Sequence, residues 1–154
     1  MQRNGFSFLE LLVVLSIVSS LLAVASLNFH DLLKKSGIES QTKMLYADLM
    51  KLRAHALFEK QTRAVRFTPH RFAIYPSDQV TGTPVLEREL RYPLRNASLT
   101  LRFNERGLAE SNASICVDED GSAAYDSLVV FTTRIQMGKR ETGRGCIGDY
   151  IKTR

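Results

Sequence analysis

Gly5-Phe6-Ser7-Phe8-Leu9-Glu10 runs straight into an apolar stretch and sets one carboxylate at its mouth. From Leu11 to Leu27 there is no Lys, Arg, Asp, Glu, Gly or Pro, and the only polar members are Ser16, Ser19, Ser20 and Ser26. With Phe6 to Leu9 counted in, the segment is long enough to cross a bilayer as a helix, which takes roughly 20 residues at 1.5 Å each. A charge near hydrocarbon costs on the order of 2.5–3.5 kcal/mol even on insertion scales, so Glu10 reads as a functional residue. Either it sits at headgroup level, where the cost is small, or it waits for a cationic partner in an assembly of like helices.

This pattern resembles the N-terminus of type IV pilins and type II secretion pseudopilins. The resemblance implies a leader of residues 1–5, carrying Arg3 and ending in Gly5. A prepilin peptidase would cut between Gly5 and Phe6, Phe6 would be N-methylated, and Glu10 would become the fifth residue of the mature chain. The family's helix-kinking Pro is missing from the apolar segment, where Leu27 stands after Ser26, so a straighter helix is implied. Two other readings of the segment are open. A secretory signal peptide has an apolar core of about 7–15 residues before a small-residue cleavage site; Ala23-Val24-Ala25 imitates such a site, but Glu10 would be out of place. An ordinary single-pass anchor is the plain alternative. Arg3 on one side and Lys34 and Lys35 on the other leave orientation to the resemblance.

The chain has 154 residues and a formal charge of +5. About 125 residues lie beyond the apolar run, enough for one small core and not two. In the oxidising compartment the resemblance implies, Cys116 and Cys146 are a candidate disulfide, with two buried free thiols as the alternative.

From Ser36 to Lys60 the residues Ile38, Leu45, Leu49, Leu52 and Ala56 recur at helical spacing and make one stripe. Glu39, Gln41, Lys43, Asp48, Lys51 and Arg53 are assigned to the remaining, solvated surface. Gly37 is the only helix-weakening residue between the two segments, at a cost of about 1 kcal/mol relative to Ala. A continuous helix from Phe6 to about Lys60 would run roughly 80 Å. The rest reads as β. Arg63 to Phe67 and Arg71 to Tyr75 flank Thr68-Pro69-His70 as a hairpin. Leu99, Leu101 and Phe103 alternate with polar residues, Ile115 and Val117 mark a short strand, and Leu128 to Ile135 a longer one. A helix followed by four to six antiparallel strands is an α+β domain, its small sheet wrapped on the helix stripe.

That arrangement is similar to the GspH/FimT-like branch of minor pilins and minor pseudopilins, in which a hairpin follows the helix. Phe103-Asn104-Glu105-Arg106-Gly107 resembles that branch's Phe, three residues, Gly element. No catalytic constellation is present. His30, His55 and His70 fall on what read as three separate elements, with no metal-ligand spacing. Asp118-Glu119-Asp120-Gly121 with Asp126 falls short of a calcium loop, since Ala123 and Val129 stand where Gly and Glu are needed. Asn96-Ala97-Ser98 and Asn112-Ala113-Ser114 match glycosylation sequons but read as turns before strands. No enzymatic activity, cofactor or metal is expected.

Charge is uneven along the chain. Arg134 to Arg154 carries a balance of +4, and Glu105 to Asp126 one of −5. Gly138-Lys139-Arg140 and Gly143-Arg144-Gly145 read as flexible cations. Some FimT-like proteins bind DNA through a Gly-led, Arg-containing C-terminal element, which makes Lys139, Arg140 and Arg144 the DNA-binding candidates; a solvated tail is the alternative. The reading is a minor pilin or pseudopilin that primes or caps a type IV pilus or type II secretion pseudopilus, with a DNA-binding minor pilin as the alternative. Residues 6–29 would be the membrane and filament-core helix. Residues 30–60, an amphipathic helix, would form one periplasmic unit with a β-rich 61–154. Its partners would be other minor and major pilins, prepilin peptidase, the inner membrane and, in the alternative, DNA.

Overall fold

A computed structural model of the chain describes residues 7–95, 98–119 and 122–153, excluding the side chains of 24–28. The chain divides into two compact units, Met1–Lys34 and Lys35–Arg154. One helix, α1 (Phe8–Glu59), runs through the described part of the first and opens the second. It starts on a capping box: Ser7 Oγ accepts the Glu10 N–H at 3.3 Å, with the acidic side chain at the third helical position. At the other end Lys60 adopts φ 54 and the Gln61 N–H reaches the Ala56 carbonyl at 3.3 Å, which closes the last turn.

In the second unit the stripe Ile38, Leu45, Leu49, Leu52 and Ala56 is at most 2% exposed. Its partners come, among the described residues, from eight strands in two four-stranded antiparallel sheets. β1 (Arg63–Thr68) and β2 (Arg71–Tyr75) form the hairpin, Thr68 opposite Arg71, with β3 (Leu86–Glu89) beyond β2 and β4 (Leu99–Phe103) beyond β1. The second sheet runs β5 (Ala113–Cys116), β6 (Ser127–Val130), β7 (Ile135–Arg140), β8 (Ile151–Thr153). Isolated bridges outside the strand pairings link Leu94 with Val117 and Phe103 with Ala109. Phe67, Phe72, Leu101 and Phe103 from one sheet and Ile115 and Leu128 from the other enclose the helix stripe in a single core. The Phe67 and Phe72 rings lie 5.1 Å apart, tilted by 50°. The α+β architecture is the one expected, but one wrapped sheet of four to six strands becomes two sheets of four.

Three local expectations are corrected. Leu128 to Ile135 is not one strand: the chain turns at Phe131–Arg134, closed by the Phe131 N–H on the Arg134 carbonyl at 2.8 Å, and both flanking strands are core-facing. Lys139 and Arg140 are strand residues, not flexible loop. Gly138 clears the way for β8 there, since a Cβ on it would lie 2.5 Å from Ile151 Cγ2 and 2.9 Å from the Lys152 carbonyl. His30 and His55 share α1 rather than lying on separate elements; only His70 is elsewhere, in the β1–β2 turn.

Candidate functional site

Gly5 and Phe6, the residues of the expected cleavage and methylation, lie outside the described residues. The structure therefore bears on the N-terminus through Ser7 onward. Beyond its capping role Glu10 sits in the first turn, where a negative side chain complements the positive end of the helix dipole. The apolar side chains after it, Leu11 to Leu22, are all exposed. The serines between them are satisfied internally: Ser16 donates to the Val13 carbonyl at 2.8 Å, and Ser19 and Ser20 to that of Ser16 at 3.0 and 2.8 Å. A hydroxyl bonded within its own helix asks nothing of its surroundings, so the segment presents an apolar cylinder. Among the described residues no helix is long and apolar enough to cross a membrane. The uncharged sequence Leu11–Leu27 runs on into positions 24–28, whose side chains are not among them.

The first turns of the second unit carry a second constellation. Gly37 faces the Tyr92 ring, and a Cβ at that position would lie 2.4 Å from Tyr92 Oη. One turn on, the Gln41 amide pairs with the Tyr92 backbone twice: it donates to the carbonyl at 2.7 Å and accepts the N–H at 3.0 Å. Glu39 accepts the Ala124 N–H at 2.7 Å. The loops before β4 and before β6 are thus both pinned to residues 37–41. Gln41 and Asp48, assigned to solvated surface from the sequence, are buried, at 7% and 4% exposure. Asp48 accepts from Arg88 Nε on β3 at 2.9 Å. Both are core-facing because a partner distant in sequence satisfies them, a condition invisible to helical periodicity.

The disulfide candidates are bonded, Cys116 to Cys146. The bridge anchors the turn after β7, and the DNA-binding candidates gather around it without forming a common face. Arg140 is 3% exposed; its N–H goes to Asp126 Oδ1 at 2.8 Å and its guanidinium to the Arg144 carbonyl at 2.8 Å. Arg95 donates to that same carbonyl at 3.0 Å and to Asp118 at 2.7 Å. The Arg144 guanidinium lies 5.2 Å from the centroid of the Tyr150 ring. Lys139 is half-buried on β7, directly opposite Lys152 on β8. Of the three candidates Arg140 is therefore structural, while Lys139 and Arg144 reach solvent.

Asp118 and Asp126 are engaged as acceptors, Asp126 also from Ser127 Oγ at 2.6 Å, and no group of three metal-ligating side chains occurs among the described residues. Asp120 and Gly121 of the acidic turn, and Asn96 and Ala97 of the first sequon, lie outside them. Asn112 of the second sequon serves its turn, accepting the Thr132 N–H at 3.1 Å. At the end of α1, His55 Nδ1 meets Glu59 at 2.9 Å and Arg63 meets its other oxygen. The His55 hydrogen bond, followed by that of Arg63, holds the Glu59 carboxyl below its ordinary range. Sequence reading missed this trio, although the spacing of four between its members was its signal.

Residues 1–26 match the family model described as the prokaryotic N-terminal methylation motif. The chain is 28% identical over 132 residues to competence protein ComGD of Bacillus subtilis (strain 168), covering 83% of this chain and 87% of that protein. No solved structure matches it.

Proposed function

We propose that this chain, a member of the type IV pilin and pseudopilin superfamily, is a minor pilin or pseudopilin cut at Gly5–Phe6, methylated on Phe6 and built into an envelope filament. The methylation motif carries the reading; likeness to the competence protein over most of both chains supports it. Residues 6–29 serve as a single-pass anchor in the inner membrane, with the remainder on its outer side. In the filament the methylated amine of one subunit meets Glu10 of another. Pairing at low dielectric offsets the cost of a buried carboxylate and fixes the axial register between neighbours. Other minor and major pilins are its partners and prepilin peptidase its processing enzyme; the role is structural rather than enzymatic.

Two features favour the GspH/FimT-like branch. The β1–β2 hairpin follows the helix directly. The Phe103–Gly107 element has a physical reason: Phe103 enters the core, while Gly107 adopts φ 68, and a Cβ on it would lie 3.4 Å from the Arg53 carbonyl. The test is the intact mass and N-terminal residue of the protein from native membranes. A methylated Phe6 is expected, and Gly5→Leu should keep its leader. A chain that begins at Met1, or after Ala25, refutes the proposal.

A second reading, a minor pilin that binds DNA, is favoured by the relative's name, since competence is the uptake of DNA. With Arg140 buried, only Lys139 and Arg144 of the candidates reach phosphate. The log–log salt slope for duplex DNA is then about −2 for two contacts rather than about −3. Binding without a salt slope, or unaffected by Lys139→Ala with Arg144→Ala, removes this reading.

A further inference from the structure

In the second unit β3 is an edge strand of the first sheet and β8 an edge strand of the second. The Leu90 N–H donates to the His70 carbonyl at 2.9 Å, which sets the alternation along β3. Leu86 and Arg88 bond to β2, while Glu87 and Glu89 turn their N–H and C=O groups to the open side. Arg88 reaches Asp48 on α1, so the Glu87 and Glu89 side chains leave by the other face. Arg71, opposite Glu89, meets Glu87 at 3.0 Å in an exposed pair of little strength. This edge is exposed and acidic.

The β8 edge has the opposite charge. The Glu141 N–H donates to the Tyr150 carbonyl at 2.9 Å, so Lys152 bonds to β7 opposite Lys139, and Ile151 and Thr153 point their backbone groups outward. The Ile151 N–H is already taken by the Gly148 carbonyl. An incoming strand therefore finds, on either side of Lys152, an acceptor in the Ile151 carbonyl and a donor in the Thr153 N–H. Lys139 and Lys152 leave the same face, where like charges destabilise a strand pair. Beside them lies an open cleft of about 530 Å³ whose one carboxylate, among the described residues, is Glu141. It stands 3.6 Å from Lys152 Nζ, in an exposed pair of little strength.

We propose that β3 of one copy of this chain adds, in parallel, to β8 of a second copy. An acceptor and a donor flanking one residue are the two halves of a parallel ladder. The residue facing Lys152 gives its N–H to the Ile151 carbonyl and takes the Thr153 N–H on its own carbonyl. Glu87 and Glu89 offer both groups outward, so either one falls opposite Lys152 and on the face of both lysines. Antiparallel addition bonded at Thr153 would instead set Arg88 or Leu90 against Lys152. Two β3 edges, or two β8 edges, would bring like charges together, so the charges select the unlike pair. The contact is heterologous: each copy keeps one edge open, and the pairing repeats from copy to copy. It does not depend on processing or anchoring, since a chain with its leader uncut carries the same two edges.

The test mixes full-length chains grown in light and heavy nitrogen in detergent, joins carboxylates to amines with a zero-length coupling reagent, and reads the linked peptides by mass spectrometry. Lys152 should couple to Glu87 or Glu89 in mixed-isotope peptides, several-fold less at high salt. The Glu141–Lys152 pair should couple within single isotopes and serves as the internal control. Thr153→Pro removes the outward donor and no charge, at a place where an edge strand tolerates proline, and should cut the mixed links several-fold. Glu87→Lys with Glu89→Lys in one chain, and Lys139→Glu with Lys152→Glu in another, should each give no mixed links alone and regain them when the two chains are combined. Links in single isotopes only, mixed links from Lys152 to Glu105 or Glu110 instead, or links undiminished by Thr153→Pro overturn the inference. So does failure of the two reversed chains to link. None of these results touches the N-terminal mass that tests the pilin reading.

Discussion

Gly37→Ala inverts the usual rule for a glycine inside a helix. By propensity alone the change should stabilise α1 by up to about 1 kcal/mol. Against it stands the Tyr92 ring, whose Oη, Cε2 and Cζ would lie 2.4, 2.8 and 2.9 Å from the new Cβ. A ring in the core has little room to yield, and the two Gln41 hydrogen bonds fix the backbone beneath it. Overpacking of this kind costs about 1–3 kcal/mol, and straining the amide pair adds about 1 kcal/mol per bond lost. With one amide bond lost, the net expectation is destabilisation by about 1–3 kcal/mol. Urea unfolding of the full chain in detergent, followed by a signal from the β-domain, measures it. The decisive control is Tyr92→Leu, which removes the ring: in that background Gly37→Ala should become stabilising by a few tenths to about 1 kcal/mol. A stabilising Gly37→Ala in the wild-type background would refute the argument, and so would the same sign in both.

Glu10→Gln keeps the reach of a capping box while removing the charge, so membrane insertion and helix start should survive while incorporation into filaments falls; assembly at wild-type levels would reduce Glu10 to a local cap. The Cys116–Cys146 bridge spans 30 residues and should stabilise the second unit by about 3–4 kcal/mol in the chain-entropy model, read as the loss on reduction. Thiol titration of the unfolded, unreduced protein should find no free thiol. Glu59, held below the 4.5 of a free glutamate by His55 and Arg63, contributes its stability above that value and loses it as pH falls through the lowered folded one. Unfolding profiles of wild type and Glu59→Gln should therefore converge at the acid end, and parallel curves would contradict this.

What the sequence disclosed depends on whether a signal is local. The stripe from Ile38 to Ala56 is legible because helical burial repeats within one segment, and the β1–β2 hairpin because Pro69-His70 punctuates it. Gln41 and Asp48 fall three residues after Ile38 and Leu45, on the buried side of the same helix, yet nothing nearby in sequence says that Tyr92 and Arg88 will satisfy them. β3 is nearly all charge, Leu-Glu-Arg-Glu, because an edge strand needs only its backbone to pair. The turn at Phe131–Arg134 has no Gly or Pro to announce it, whereas Gly138, which looked like flexibility, is the clearance that β8 requires.

The Glu10 site shows how both levels meet in one residue. Ser7-Phe8-Leu9-Glu10 is a capping box in plain view, and a cap alone accounts for an acidic residue at the third helical position. A cap does not account for the apolar run that follows, in which Ser16, Ser19 and Ser20 are already bonded within the helix and the leucines and valines from Leu11 to Leu22 are exposed. That surface needs an apolar environment, and Glu10 stands at its edge as the one group that such an environment penalises. The cap places Glu10 in the first helical turn of a single chain, and in the proposed assembly a neighbouring amine would supply the cation that makes burial of its carboxylate favourable. Glu10→Gln keeps the first role and deletes the second, so it separates a helix start from a filament register.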